Sequence, residues 1–236
     1  MKVIGLGHYS RTGKDSLANR IVAGCQKRGL KAAKMPFAWK LKQIAYDLYA
    51  WDGLREPEFY DTPGGEKFRD IVLPTIGKTP VQLWVDIGTP AFRDQVYKDT
   101  WIDFVLRGDH GVDVLVIPDT RFFNECEAVR ESGGLIAKVV RPGYGPRPTV
   151  ADRALVGWSG WDYVIGASGQ MSELDEWGER FADHLAGYTG RPYQPDHRRT
   201  EALEVEEIRP WMPPAGWIVP EWYPDKYLAN RRVGAV

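Results

Sequence analysis

Residues 1–16, MKVIGLGHYSRTGKDS, contain a short apolar strand, a tight polar loop and the first turn of a helix. The helix continues with Leu17, Ile21, Val22 and Cys25 on one face, which is the spacing of an amphipathic helix. A strand, a loop that ends in Gly-Lys and a helix are together typical of a phosphate-binding loop. In such a loop, backbone N–H groups and the helix N-terminus surround the phosphates, and the lysine reaches the β and γ oxygens. The segment therefore predicts a phosphate site.

The loop departs from the pattern G-x-x-x-x-G-K-[ST] at two positions. Gly13 and Lys14 fit it, whereas His8 takes the place of the first glycine and Asp15 that of the Ser/Thr. A glycine-containing turn without a ligand is the alternative interpretation. Asp15 is a candidate for placing Mg²⁺, which prefers carboxylates together with substrate phosphates, or it only stabilises the positive end of the helix. We predict phosphate contacts from His8, Arg11, Thr12, Gly13, Lys14, Asp15 and Ser16.

Composition limits the class of protein. The chain has 236 residues, a net charge of −1 and a pI near 6.4, which excludes a global basic field for duplex nucleic acid but not a local basic cleft. Cys25 and Cys126 both lie in helical patterns, so we expect buried thiols of a reducing compartment rather than a disulfide. No apolar stretch approaches 18 residues, and the apolar run at the start of the sequence is too short for a signal peptide. We therefore expect a cytoplasmic protein without a membrane span.

The rest of the chain alternates predicted strands and helices. Strands are predicted at 31–37, 112–118, 135–140 and 161–165, and helices at 38–49, 81–87, 124–131 and 172–186. The run 112–118 is almost continuously apolar, as expected at the centre of a parallel sheet. We expect the helix at 81–87 to end at Gly88-Thr89-Pro90, and the helix at 124–131 to have Asn124 as its N-cap. The alternation predicts a three-layer α/β fold with a parallel sheet.

Several polar residues follow predicted strands. The loop at 7–16 leaves the first strand, Asp119 and Arg121 follow the strand at 112–118, and Arg141 follows the strand at 135–140. Ligands of open α/β sheets bind beyond the carboxyl ends of the strands. This convergence is the strongest functional indication in the sequence.

The domain organisation follows from shifts in composition. Residues 1–186 are predicted to form one α/β domain, with an irregular, aromatic, partly helical insertion at about 51–110 that is suited to covering a substrate. A Gly/Pro-rich segment at about 141–158 carries Arg141, Arg147 and Arg153. Residues 187–236 are rich in Pro and Trp, and we expect an arm that packs on its own domain or on a neighbouring subunit, so a homodimer is one prediction.

With these residues in view, the chain resembles the phage deoxynucleoside monophosphate kinases from residue 1 to about 186. The resemblance rests on separated motifs in the same order, namely Gly13-Lys14-Asp15-Ser16, 37–42 (FAWKLK), 88–93 (GTPAFR), 119–128 (DTRFFNECEA) and 161–165 (WDYVI). The motif at 119–128 is the most specific of the set. The chain departs from the family pattern at His8, at Trp39 and Lys40 in place of Asp-Pro, and at Val81 in place of an arginine.

The resemblance implies a P-loop kinase fold with an arginine-containing lid, and transfer of the γ-phosphoryl group of ATP, with Mg²⁺, to the 5′-phosphate of a deoxynucleotide. It implies catalytic roles for Lys14, Asp119, Arg121 and Arg141, a phosphate contact for Arg147, and Mg²⁺ binding by Asp15, Ser16 and Asp119. It also implies substrate binding by Phe37, Lys42, Arg69, Trp84, Arg93 and Arg121. Taken singly, such arginines are more often solvated surface charges, and such aromatic residues more often pack in cores. For Asp119 the alternative interpretation is a residue that belongs to a turn at the end of the strand or caps a helix, without binding a ligand.

Two other functions stay open at this stage. One is a P-loop kinase with a different acceptor, such as a hydroxymethylpyrimidine in DNA or a small alcohol such as dephospho-coenzyme A; a polymer acceptor favours a basic groove, which the net charge does not indicate. The other is a nucleotide-binding module without turnover.

Overall fold

The computed structural model describes residues 1–7, 9–147, 149–167 and 169–187. These residues form two compact units: one contains Met1–Pro36 and the described residues from Asp109 to Gly187, and the other is Phe37–Gly108. His8, and the predicted arm beyond Gly187, lie outside the described residues. The division into a domain at 1–186 and an arm therefore stays a prediction.

The first unit contains a five-stranded parallel sheet. Its strands are β1 Lys2–Gly7, β2 Ala32–Lys34, β3 Val114–Ile117, β4 Leu135–Val140 and β5 Tyr163–Gly166. Their spatial order is β2-β3-β1-β4-β5, and every neighbouring pair is parallel. The predicted α/β fold with a parallel sheet is confirmed. The apolar run at 112–118 is an interior strand, as expected, but β1 occupies the middle of the sheet.

Helices connect the strands and form the second unit. In the described part of the chain they are α1 Lys14–Lys27, α2 Trp39–Tyr49, α3 Pro80–Asp86, α4 Thr100–Arg107, α5 Phe123–Glu131, α6 Val150–Arg153 and α7 Met171–Ala186. No helix within the described ranges is long and apolar enough to cross a membrane.

The sheet is covered on both faces. Ile4 and Leu6 of β1 pack with residues of α1 and α7 in one buried cluster. Side chains alternate along a strand, so Val3 points to the other face, where α5 contacts β1 and β4. Fully burying each such aliphatic side chain contributes about 1.5–3 kcal/mol to the free energy of folding. Helix, sheet and helix therefore form three layers, as predicted.

The start of α5 differs from the prediction that Asn124 is the N-cap. Phe122 is the residue at the N-cap, and the helix begins at Phe123. The buried Glu125 carboxylate reaches back and accepts hydrogen bonds from the backbone N–H groups of Arg121 (2.7 Å) and Phe122 (3.1 Å). Glu125 is thus the third helical residue and binds the backbone N–H of the N-cap residue, as in a capping box, so Asn124 lies inside the first turn rather than at the cap.

The second unit is helical around a small core. Three short 3₁₀ helices, Ala50–Asp52, Pro57–Asp61 and Glu66–Asp70, lie between α2 and α3. The core contains Ala45, Leu54, Tyr60, Leu73 and Leu83.

The helix predicted at 81–87 is α3, which ends at Asp86, but Gly88-Thr89-Pro90 does not end the helical path. The chain continues from α3 into a π-helical segment, Ile87–Arg93, in which the Asp94 N–H bonds the Thr89 carbonyl at 3.0 Å. Pro90 has no N–H and would clash with the carbonyl four residues earlier in an α-helix. The wider π pattern accommodates the proline, so the helical path does not stop there.

Candidate functional site

The loop between β1 and α1 turns sharply before the helix begins. Gly13, the N-cap residue of α1, has φ of 99°, and Arg11 has φ of 64°. A glycine at position 13 fits, because this left-handed conformation strains residues that carry a Cβ. The Gly13 carbonyl accepts the first helical bond from the Leu17 N–H at 2.9 Å. The loop therefore leads directly into the N-terminus of α1, as the sequence predicts.

Lys14 is buried beneath this loop. Its side chain donates to the Tyr9 carbonyl and lies 3.5 Å from Thr12 Oγ1, which itself donates to the Tyr9 carbonyl at 3.1 Å. Burial, and after it the positive charge of Arg121, lower the pKa of Lys14 to about 7 against the opposing effect of the Asp15, Asp152 and Asp119 carboxylates. The ammonium form of Lys14 is therefore less favoured in the free protein than in water, and an anion placed beside the side chain would favour the ammonium.

Arg121 lies close to the loop after β1. Its Nη1 donates to the Asp152 carboxylate and its Nη2 donates to Ser10 Oγ at 3.2 Å. Asp152 is 1% exposed and also accepts a bond from Ser10 Oγ at 3.2 Å. The structure therefore brings Arg121 together with the loop after β1 through a carboxylate that the sequence analysis did not single out.

A weak signal for Asp152 was present in the sequence. Thr149 and Asp152 have the spacing S/T-x-x-D/E that begins many helices, and Thr149 Oγ1 does accept a bond from the Asp152 N–H at 3.3 Å. That spacing predicts the start of α6. It contains no information about a partner in the loop after β3, so the pairing with Arg121 could not be read from it.

The three residues predicted to bind a metal have different surroundings. Asp15 is exposed, with Lys34 Nζ 3.4 Å from its carboxylate, and the Ser16 carbonyl accepts a bond from Arg20 at 3.0 Å. Asp15 and Asp119 both act on the charge of Lys14, so both carboxylates lie near its ammonium. Within the described ranges, no three His, Cys, Asp or Glu side chains form a group that could hold a metal ion by itself. One or two carboxylates fit Mg²⁺ that is bound jointly with substrate phosphates.

Two of the predicted lid arginines contact the site region. The Arg141 guanidinium stacks 4.6 Å from the Tyr144 ring, and its Nη1 lies 3.5 Å from the Arg11 carbonyl. The backbone N–H of Arg147 donates to Asp152 at 3.3 Å. The side chain of Arg147 is exposed. The segment after β4 therefore meets the loop after β1 at two points, where Arg141 approaches the Arg11 carbonyl and where Asp152 binds Ser10.

The remaining predicted residues belong to the unit Phe37–Gly108. Lys42 Nζ lies 4.9 Å from the Trp84 ring centre, and Trp84 meets Tyr60 edge-on at 5.0 Å. The Arg69 guanidinium binds Asp61 at 2.7 Å. Phe37 and Arg93 are buried, with exposed fractions of 2% and 7%. Of this group, Lys42 and Trp84 are brought together, and the roles of all five in binding stay predictions.

Part of the chain is similar to a known protein. No family model matches the chain. It is 29% identical over 98 residues to the deoxynucleotide monophosphate kinase of Enterobacteria phage T4, a match that covers 39% of this chain and 41% of that protein. The chain thus spans about two fifths of the length of this curated relative.

Proposed function

We propose that this chain is an ATP-dependent kinase that phosphorylates the 5′-phosphate of a deoxynucleoside monophosphate, giving ADP and the diphosphate. The observation that carries the proposal is the buried Lys14 in a glycine-containing loop between the middle strand and α1. The partial similarity to a phage kinase supports the class of enzyme. A bare turn between a strand and a helix has no need of a buried lysine, since burying an ammonium is costly.

The chemistry needs positioning and charge neutralisation rather than a covalent intermediate on the protein. An oxygen of the acceptor phosphate forms a bond to the γ-phosphorus as the bond from that phosphorus to the β–γ bridging oxygen breaks, and ADP leaves with the electron pair. In this proposal Lys14 and the N–H groups from Thr12 to Ser16 hold the β- and γ-phosphates. Arg121 and Arg141 neutralise the transferring group, because a guanidinium fork matches phosphate oxygens.

Mg²⁺ fits the carboxylates near Lys14. Asp15 and Asp119, with Ser16, would hold the ion, which supplies further neutralisation of the phosphate charge. We assign acceptor binding to the unit Phe37–Gly108, where a cation and an aromatic ring, Lys42 and Trp84, lie together. We assign Phe37, Arg69 and Arg93 to acceptor binding as well, and we assign Arg147 to binding the phosphates of ATP. Association as a homodimer and a cytoplasmic location stay predictions, as does the preference for small nucleotides over a nucleic-acid partner.

The test is ADP release from ATP and Mg²⁺ against a panel of deoxynucleoside monophosphates, with hydroxymethyluracil-containing DNA as a parallel acceptor. We expect turnover with one or two of the monophosphates. Lys14→Ala should lower kcat by about 10²-fold or more, because it removes a charge that stabilises the transition state. Lys27→Ala is the matched control, since it removes an exposed lysine from the same helix and should leave kcat unchanged.

Three results would contradict the proposal in different ways. ADP release that occurs only with the DNA acceptor would identify a different substrate. ATP binding without ADP release for any acceptor would leave a binding module. Equal activity of Lys14→Ala and Lys27→Ala would exclude the loop after β1 as the phosphate site.

A further inference from the structure

Asp152 is a buried carboxylate that joins three loops of the sheet unit. Its Oδ1 accepts bonds from Arg121 and from Ser10 Oγ at 3.2 Å, and its Oδ2 accepts the backbone N–H of Arg147 at 3.3 Å. Ser10 follows β1, Arg121 follows β3 and Arg147 follows β4, so these residues all leave the carboxyl ends of strands. Parallel strands have these ends at one edge of the sheet, which is where ligands of such sheets bind.

The arrangement fixes Arg121 while leaving part of it open. A buried carboxylate is stable only when it is paired and hydrogen-bonded, and Asp152 meets both conditions through Arg121 and Ser10. Arg121 nevertheless keeps 26% of its side chain exposed. A guanidinium has five N–H groups, and the bonds to Asp152 and Ser10 use one each from Nη1 and Nη2. The other N–H groups can serve a phosphate.

We propose that Asp152 is a positioning residue for phosphoryl transfer, which holds the Arg121 guanidinium beside Ser10 and the phosphate loop before the phosphates bind. This inference rests on the proposed function. Donors that are already in place stabilise developing charge without reorganising during the reaction, and losing one such donor lowers kcat by about 10²–10³-fold. Asp152 itself need not contact the substrate, since it acts through Arg121.

A purely structural role for Asp152, bracing α6, makes a different prediction. If Asp152 acts through Arg121, the effects of the two substitutions on kcat are non-additive, because the second substitution removes an interaction that the first has already removed. If Asp152 only stabilises the fold, its substitution lowers the melting temperature and leaves kcat of the folded fraction unchanged. The two roles are therefore separable by combining variants.

The experiment measures kcat, KM for ATP and thermal unfolding for the wild type, Asp152→Asn, Arg121→Lys and the double variant. We expect each single substitution to lower kcat by about 10²-fold, with KM for ATP changed by less than about threefold. The double variant should lose no more than the worse single variant. Losses that multiply to about 10⁴-fold, or an unchanged kcat in Asp152→Asn, would overturn the inference.

The matched control is Asp162→Asn. Asp162 likewise bridges an arginine, Arg130 at 3.2 Å, and a backbone N–H, that of Ile136 at 2.8 Å, in the same unit. Its substitution should lower the melting temperature and leave kcat unchanged. If Asp152→Asn does not fold, Ser10→Ala is used in its place. We expect Ser10→Ala to lower kcat several-fold when it is introduced into the wild type, and not to lower kcat when it is introduced into Arg121→Lys. An equal loss in both backgrounds would overturn the inference.

The same assay separates this inference from the function on which it rests. A folded wild type that releases no ADP with any acceptor overturns both. An active wild type whose losses at Asp152 and Arg121 multiply overturns only the positioning role.

Discussion

Gly7 ends β1 at a point where a side chain has no space. A Cβ there would lie 2.5 and 2.7 Å from two ring atoms of Trp161 and 3.1 Å from the Thr120 carbonyl oxygen. The Trp161 ring packs edge-on against Trp158, with centres 4.6 Å apart, so it has little room to retreat. We expect Gly7→Ala to lower the free energy of unfolding by about 1–3 kcal/mol through overpacking, measured by urea denaturation.

The control for Gly7→Ala is Gly145→Ala in the same unit. A Cβ at Gly145 would meet no atom within 4 Å, and its φ is not positive. Its free energy of unfolding should therefore stay within about 0.5 kcal/mol of the wild type. Equal destabilisation by the two substitutions would exclude the Trp161 contact as the cause.

The candidate site could be predicted from the sequence where its residues are adjacent in the chain. Gly13 and Lys14 were found because their motif is local and includes the strand and helix around them. The need for glycine at position 7, and the partner of Arg121, depend on Trp161 and Asp152, which are far away in the chain. No local pattern encodes such contacts, so these features became visible only in the fold.

At the scale of elements, Asp52 links two segments of the second unit. It ends the 3₁₀ helix Ala50–Asp52, and its carboxylate accepts the backbone N–H groups of Thr75 (3.0 and 3.1 Å) and Ile76 (2.9 Å). Burial by itself raises the pKa of Asp52, but the bonds from Ile76 and Thr75 outweigh it and lower the pKa below its ordinary value. The charged carboxylate therefore holds the segment at 75–76.

This lowered pKa predicts the sign of a pH effect. Asp52 binds a proton less readily in the folded than in the unfolded chain, so its contribution to stability is full above the ordinary carboxyl pKa of about 4 and is lost as the pH falls through the folded value. Asp52→Asn should lower the melting temperature at pH 7 and flatten its decline below about pH 5. Asp47→Asn, an exposed carboxylate on α2, should retain the wild-type decline. Identical pH profiles for Asp52→Asn and the wild type would contradict the assignment.

Elements with a clear period were predicted well, and their ends less so. The strand at 135–140 was predicted with the bounds of β4, because its apolar run is bordered by glycine and proline. The helix predicted at 81–87 ends at Asp86, but the helical path continues beyond it, because a π-helical segment accommodates a proline that would stop an α-helix. Sequence rules identify proline as a residue that ends an α-helix, but they do not include the wider geometry of a π-helix.

At the scale of the molecule, the two cysteines report on the integrity of the sheet unit. Cys25 in α1 and Cys126 in α5 lie on opposite faces of the sheet, and both are fully buried free thiols. Burial raises the pKa of Cys25, and it raises that of Cys126 well above its ordinary value. The thiolate is the reactive form, so the native chain should resist an aromatic disulfide reagent at pH 8. Both thiols should react only as the unit opens, and rapid labelling of either in the native chain would contradict its burial.

Thiol labelling also tests nucleotide binding without relying on turnover. If ATP binds the folded unit but not the unfolded chain, it lowers the population of open molecules by the factor 1 + [ATP]/Kd. When opening and closing are faster than labelling, the labelling rate falls by the same factor, which is about 100-fold at an ATP concentration of 100 times Kd. Lys14→Ala should lose most of this protection and Lys27→Ala should retain it. Protection that survives in Lys14→Ala would place the nucleotide elsewhere, and an unprotected wild type would exclude ATP as the ligand.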